Sequence, residues 1–240
     1  MMPRDKRRAL RSACAVLSII IALYSLSAYI FVLADNDQDV DIYHNNKNAY
    51  MKIALTFDDG PHPRYTPQIL DVLDEYNIKA TFFVVGVNAK NYPDTIEEVI
   101  KRGHEIGNHT YSHPHVSCLN SYTLKEEVEK CESAIYELMD YKTKLFRPPE
   151  GMIDADVRTV LRSLDYKVIL WDIDTRDWAH VPPDEIAKNV VDNISSGDII
   201  LMHDYVSYNS PTVEAIKIFI PTLIDKGYKF VVVSELIGLE

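Results

Sequence analysis

The sequence predicts an α/β fold of about seven parallel strands, either a barrel or a doubly wound sheet. Strand-like and helix-like segments alternate from about residue 50 to the end of the 240-residue chain. The strand-like stretches "TFFVV", "DIILM" and "KFVVV" are near-continuous apolar runs, as expected of parallel strands covered on both faces. Ionisable residues gather directly after the strands, where barrel enzymes keep their chemistry.

In order, the strands are expected at about 52–57, 81–85, 104–108, 144–146, 167–171, 198–202 and 229–233. The helical patterns between them fall at about 66–76, 94–102, 123–139, 154–164, 184–195 and 212–226. Pro183 suits a first helical turn and Gly197 ends the segment that follows it. Pro221, inside the last helix, is expected to kink or split it. Leu124, Val128, Cys131, Ile135 and Leu138 recur at helical spacing, so Cys131 is read as a buried free thiol rather than a disulfide partner of Cys118.

Ahead of the domain at 51–240 lie three other stretches. Residues 1–12 carry Arg4, Lys6, Arg7, Arg8 and Arg11 against Asp5, a basic flank of net +4. The stretch 13–34 is 22 residues with no charge, long enough to span a bilayer of which a helix needs ~20 residues. It is read as a transmembrane anchor with the domain outside the cell, the alternative being an exported signal segment cleaved near Asp35. Residues 35–50 are polar and aperiodic and read as a tether.

The net charge of −11 therefore leaves −15 beyond the basic flank. No basic stripe is available to track a phosphate backbone, which excludes nucleic-acid binding. No G-x-G-x-x-G turn follows the first strand and no Walker-type loop occurs, so no nucleotide cofactor is expected.

The residues after the strands form a short set. "TFDDGP" places Asp58 and Asp59 at the end of the first strand, and "NHTYSHPH" places His109 and His113 after the third. "FRPPEG", with Arg147, follows the fourth, "WDIDTRDW" the fifth, and "LMHD", with His203, the sixth. Two imidazoles four residues apart plus one carboxylate make an open, catalytic type of metal site. Adjacent acids are a poor glycosidase pair, whose carboxyls stand ~5–9.5 Å apart across the bond. Their side chains leave a strand end in different directions, so one can face a metal and the other a water molecule. His62, His104, His115 and His180 read as surface or supporting residues. Asp172, Asp174 and Asp204 read as acceptors for loop amides, and the glutamates of "LKEEVEKCESAIYELM" as a solvated helix face.

Together "TFDDGP", "HTYSH", "RPP", "DTRDW" and "LMH" resemble the polysaccharide deacetylases of carbohydrate esterase family four, the NodB-homology domain. The resemblance implies a distorted (β/α) barrel. It implies that Asp59, His109 and His113 hold a divalent metal, usually zinc, with cobalt or manganese as alternatives. Asp58 would be the general base, oriented by Arg147, and His203 the general acid, paired with Asp177. The backbone N–H of Glu150 would meet the oxyanion, and Trp178 and Pro148 would line the sugar groove beside it. The substrate implied is an N-acetylated glycan, peptidoglycan first and chitin oligosaccharide second, with a non-catalytic glycan-binding module as the rival. Glu150 departs from the aromatic residue usual at that place, which changes the groove wall.

Overall fold

The computed structural model describes residues 17, 20–26, 39–206 and 209–239. The chain divides into two compact units, Met1–Asp39 and Val40–Glu240. In the first, residues 17 and 20–26 are helical and exposed. Most of the expected anchor at 13–34, and all of the flank at 1–12, lie outside the described residues. Among the described residues no helix is long and apolar enough to cross a membrane.

The second unit is built on parallel strands β1 (Ile42–Tyr43), β2 (Lys52–Asp58), β3 (Thr81–Val84), β4 (Glu105–Asn108), β5 (Leu145–Phe146), β6 (Lys167–Ile169), β7 (Ile173–Asp174), β8 (Ile199–His203) and β9 (Lys229–Phe230). Eight of them lie in the order β1-β6-β5-β4-β3-β2-β8-β7, and β9 pairs with the start of β2. Around them run α1 (Tyr65–Glu75), α2 (Gly86–Asn91), α3 (Pro93–Lys101), α4 (Ser121–Met139), α5 (Ala155–Ser163), α6 (Pro183–Asn193), α7 (Thr212–Asp225) and α8 (Val233–Ile237). The sheet curls into a distorted, open barrel, which decides against the doubly wound alternative.

Strand alternation sorts the side chains. Ile53, Leu55 and Phe57 pack outward under the helices with Phe82, Ile200, Met202 and Phe219. Each such fully buried side chain contributes about 1.5–3 kcal/mol over its exposed state. Ala54 belongs to an inner cluster with Phe83, Leu145 and Ile199, closed by Val233 and Leu236 of α8. Continuing that inner row, Thr56 and Asp58 are buried towards the barrel's axis.

Three expectations need correction. The tether at 35–50 is folded from Val40 onward, because β1 pairs with β6. The backbone of Asn45 then forms a β-bridge with that of Asp198, and Lys47 ion-pairs with the Asp198 carboxylate. Those polar contacts join the two ends of the curl, a role that composition does not announce. The strand at 229–233 stops at Phe230, and Val233 instead begins α8. Pro221 does not split α7, which runs from Thr212 to Asp225 with the proline inside it. As expected, Cys131 is buried on α4 and Cys118 is exposed, both free.

Candidate active site

Parallel register sets the site's spacing. β2 lies between β3 and β8, and Asp58 stands level with Phe83 on one side and His203 on the other. His109 follows β4 directly, its N–H donating to the Val84 carbonyl at 3.0 Å. Arg147 follows β5 in the same way, donating to the Asn108 carbonyl at 3.0 Å. The ends of β2, β4, β5 and β8 thus deliver Asp58, His109, Arg147 and His203 to one rim.

Asp59 takes a left-handed backbone (φ 76°), which turns its side chain away from that of Asp58. Its Oδ1 lies 3.4 Å from Nε2 of His109 and 3.2 Å from Nε2 of His113. On the far side of the first ring, His109 Nδ1 is 2.7 Å from the Arg147 carbonyl oxygen. A carbonyl only accepts, so Nδ1 carries the proton and Nε2 presents its lone pair to Asp59. Oδ1 of Asp59 is itself buried without a hydrogen-bond donor. One atom from each of Asp59, His109 and His113 lies within 4.8 Å of the others, an arrangement suited to a metal ion. Lone pairs converging on one point repel unless a cation lies among them, so the donor set fits a divalent metal. Burial works against the Asp59 charge; without a cation between them, only imidazoles that donate an N–H to Asp59 would outweigh this and hold it well below the usual carboxylate range. The contact with Asp59 raises the His113 pKa, opposed by burial.

Asp58 is almost fully buried beside the cluster. Its Oδ1 accepts from the Arg147 guanidinium at 2.7 Å, and its Oδ2 is 3.9 Å from His109 Nε2. The fully buried guanidinium also donates to Thr56 Oγ1 (2.8 Å) and to the carbonyls of Ile169 and Leu170 (both 3.1 Å). It packs on the Phe83 ring, 4.2 Å from the centroid. Burial lowers the Arg147 pKa, while Asp58 raises it. A buried charge with this many partners is held in one geometry.

His203 is held from behind by Asp177, which is fully buried. Asp177 Oδ1 faces His203 Nδ1 at 2.7 Å, and its Oδ2 accepts from the His203 amide (2.9 Å) and the Thr212 hydroxyl (2.6 Å). Burial disfavours the imidazolium, yet the Asp177 bond and charge, with the fields of Asp58 and Asp59, push its pKa up to about 9. His203 is therefore a cation at neutral pH, with Nε2 free to face the site.

A cavity of about 390 Å³ joins these groups, with Asp58, Asp59, His109, His113 and His203 on its wall. Trp178, Glu150, Asp174 and Trp171 complete it on the open side. A larger groove of about 490 Å³ lies elsewhere, between Lys90 of α2 and Glu126 and Lys130 of α4, away from these groups.

Pro148 corrects the sequence reading, since it is buried and lies off the cavity wall. Its carbonyl accepts from Gly151 N–H at 2.9 Å, fixing the turn that carries Glu150 to the rim. His104 is buried rather than superficial, and its Nδ1 accepts the Ala80 amide at 3.2 Å. Burial keeps it neutral, with a pKa of about 4. Glu127 leaves the expected solvated face: its Oε2 accepts from the amides of Tyr111 (3.1 Å) and Ser112 (2.8 Å), bracing the loop between the two histidines. Trp171 was visible as the first residue of "WDIDTRDW", but nothing in the sequence separated its wall position from that of Trp178. Asp204, fully buried behind the Asp59 turn, was also unforeseen in that place, and Thr66 holds its Oδ2 at 2.5 Å.

An open parallel barrel that gathers imidazoles, carboxylates and a buried arginine on its carboxyl rim has the layout of a barrel enzyme with a candidate metal site. Comparison with known proteins narrows the class. A family model described as polysaccharide deacetylase matches residues 45–169. The chain is 42% identical over 187 residues to a peptidoglycan-N-acetylglucosamine deacetylase of Bacillus cereus, an alignment covering 77% of this chain and 87% of that protein. It is 35% identical over 187 residues to a chitooligosaccharide deacetylase of Sinorhizobium fredii, covering 73% and 87%. Among solved structures, it resembles the Bc1960 peptidoglycan N-acetylglucosamine deacetylase with a TM-score of 0.79 and 35% identity, over 81% of this chain and 92% of that one. The chain belongs to the polysaccharide deacetylase family.

Proposed function

We propose that this protein is a metal-dependent hydrolase that removes acetyl groups from the N-acetylated amino sugars of cell-wall polysaccharide, peptidoglycan first. The observation that carries this reading is the placement of two opposite proton-handling pairs around one ligand cluster. Asp58, fixed by Arg147, is the acceptor; His203, fixed by Asp177, is a charged donor. They stand level on neighbouring strands.

In this reading Asp59, His109 and His113 hold the metal, zinc by preference, with cobalt or manganese also compatible with such ligands. When bound, the cation supplies Lewis acidity at the amide carbonyl and at the attacking water. Asp58 takes the water's proton at Oδ2, because Oδ1 is committed to Arg147. Oxygen attack at the acetyl carbon places negative charge on the carbonyl oxygen, and the Glu150 amide is the protein donor assigned to it. His203 delivers a proton from Nε2 to the sugar nitrogen as the C–N bond breaks, since an unprotonated amide nitrogen leaves very poorly. The products are acetate and a free amino sugar. The half-exposed Trp178 offers an aromatic face to the apolar face of a sugar ring.

The uncharged stretch at 13–34 completes the proposal as an export element, a membrane anchor that keeps the domain at the wall. Its support is sequence length alone. The test of activity is acetate release by the metal-reconstituted full chain from peptidoglycan fragments and from chitin oligomers. Acetate from peptidoglycan supports the reading, and acetate from chitin alone moves the substrate to chitin oligosaccharides. Binding without acetate from either leaves a non-catalytic module.

A further inference from the structure

Two carboxylates on the cavity wall, those of Glu150 and Asp174, take no part in the proton transfers, and the Glu150 turn is the more closely defined. The Glu150 backbone sits in the left-handed region (φ 58°), between buried Pro149 and a left-handed Gly151 (φ 67°). Gly151 cannot carry a side chain there, because a Cβ would come within 2.8 Å of the Trp171 ring. The turn is thus clamped between Pro149 and Trp171, which holds the Glu150 backbone at the mouth of the cavity.

The charges around that mouth are unbalanced. Among the described residues on the cavity wall there is no lysine or arginine. Asp58 is neutralised by Arg147, and Asp59 faces the two imidazoles. Glu150 and Asp174 remain as carboxylates open to a ligand. Among the described residues, the basic side chain in contact with Glu150 is His115, whose Nδ1 lies 2.8 Å from Glu150 Oε1, and both are more than half exposed. That contact engages the imidazole, so it is not free to receive a ligand anion.

We infer that Glu150 makes the site select against anionic sugars: the hexosamine unit received beside it carries an uncharged or cationic substituent, not a carboxylate. This rests on the deacetylase reading and narrows it. A plain N-acetylglucosamine unit, or one beside an already deacetylated ammonium sugar, fits this wall. An N-acetylmuramoyl unit presenting its lactyl carboxylate to Glu150 meets like charge, while the cation on the wall, His203, is already paired with Asp177. Like charges across a contact suppress the wrong partner more than they alter the right one.

The experiment uses the zinc-loaded full chain and two glycans that differ in one group: a muramic-acid-containing tetrasaccharide and the same molecule with its lactyl carboxylates converted to amides. The readout is kcat/KM for acetate release. The amide form is expected to be used about threefold to fivefold better, in keeping with an exposed charge contact. Glu150→Gln is expected to bring that ratio close to one, and Glu150→Lys to invert it. A measurement on the unaltered protein accompanies the variants: raising salt from about 20 mM to about 0.5 M shortens the screening length several-fold and should shrink the ratio. Acetate release with a ratio that neither salt nor the variants move overturns the inference and leaves the deacetylase reading standing. Acetate from neither glycan nor chitin oligomers overturns that reading, and the inference with it.

Discussion

Arg147 serves both halves of the site: its guanidinium donates to Asp58 at 2.7 Å, while its carbonyl oxygen orients His109 through Nδ1, also at 2.7 Å. One residue thereby fixes the position of the base and the lone pair of a metal ligand. The two functions separate by mutation, because only the first belongs to the side chain. Arg147→Lys keeps a positive charge but loses the fork that reaches Asp58, Thr56 and two carbonyls at once. Turnover is expected to fall at least about tenfold. Metal content, read by elemental analysis after dialysis, should change little because the carbonyl remains. Loss of metal in Arg147→Lys would show that the side chain governs His109 as well.

The adjacent acids should divide in the same way. Asp58→Asn preserves the shape of the Arg147 contact but cannot take a proton, so kcat is expected to drop by about 10²–10⁴ with metal retained. Asp59→Asn and His109→Ala each remove a ligand atom from a three-atom set. Both are expected to weaken metal binding, measured by competition with a chelating dye. If the Asp58 variant lost metal and the other two kept it, the assignment of the pair would be reversed.

His203 sets the alkaline limit. Its pKa is raised from 6.5 to about 9, because the bond and charge of Asp177 outweigh the burial that opposes the cation. The proton donor is then present at neutral pH and disappears as pH rises through about 9, so kcat should fall on that limb. The same sign governs stability: the pairing contributes fully below about 6.5 and is lost as pH climbs through about 9. Asp177→Asn removes the charge that supports the imidazolium. Its alkaline limb is expected to move to lower pH, read from kcat profiles of both proteins. An unmoved limb would detach His203 from the proton transfer.

Much of this was legible because the fold and the chemistry use the same signal. The apolar run ending at Asp58 marks both a buried strand and the place where its first polar residues must emerge. The same holds for His109 after β4 and Arg147 after β5. What stayed hidden was carried by contacts between residues far apart in the chain. β1 is two residues long, and its pairing with β6 depends on a register that a polar segment does not display. Glu127 is spaced like its solvated neighbours on α4, and only the fold brings the Tyr111 and Ser112 amides to it. Pro148 misled for the opposite reason: it sits inside a matched motif, but its part is to shape the turn beneath the wall.

The glycine after the two acids carries the last prediction. The Asp204 carboxyl fills the space beside Gly60 so closely that a Cβ there would lie 2.1 Å from Oδ2 and 2.2 Å from Oδ1. Asp204 cannot yield easily, being fully buried, bonded to Thr66 through its side chain and to the Asp58 carbonyl through its amide (3.1 Å). In Gly60→Ala the strain must therefore pass into the turn that aims Asp59 at the histidines. A loss of about 1–3 kcal/mol in unfolding free energy is expected, as for other overpacked interiors, together with weaker metal binding. Asp204→Ala empties the contested space, so the double variant should recover most of the metal affinity that Gly60→Ala loses. The two changes should be non-additive in a double-mutant cycle followed by denaturant unfolding and metal titration. Additive losses would mean that Asp204 does not set the turn, and that Gly60 is required for its backbone alone.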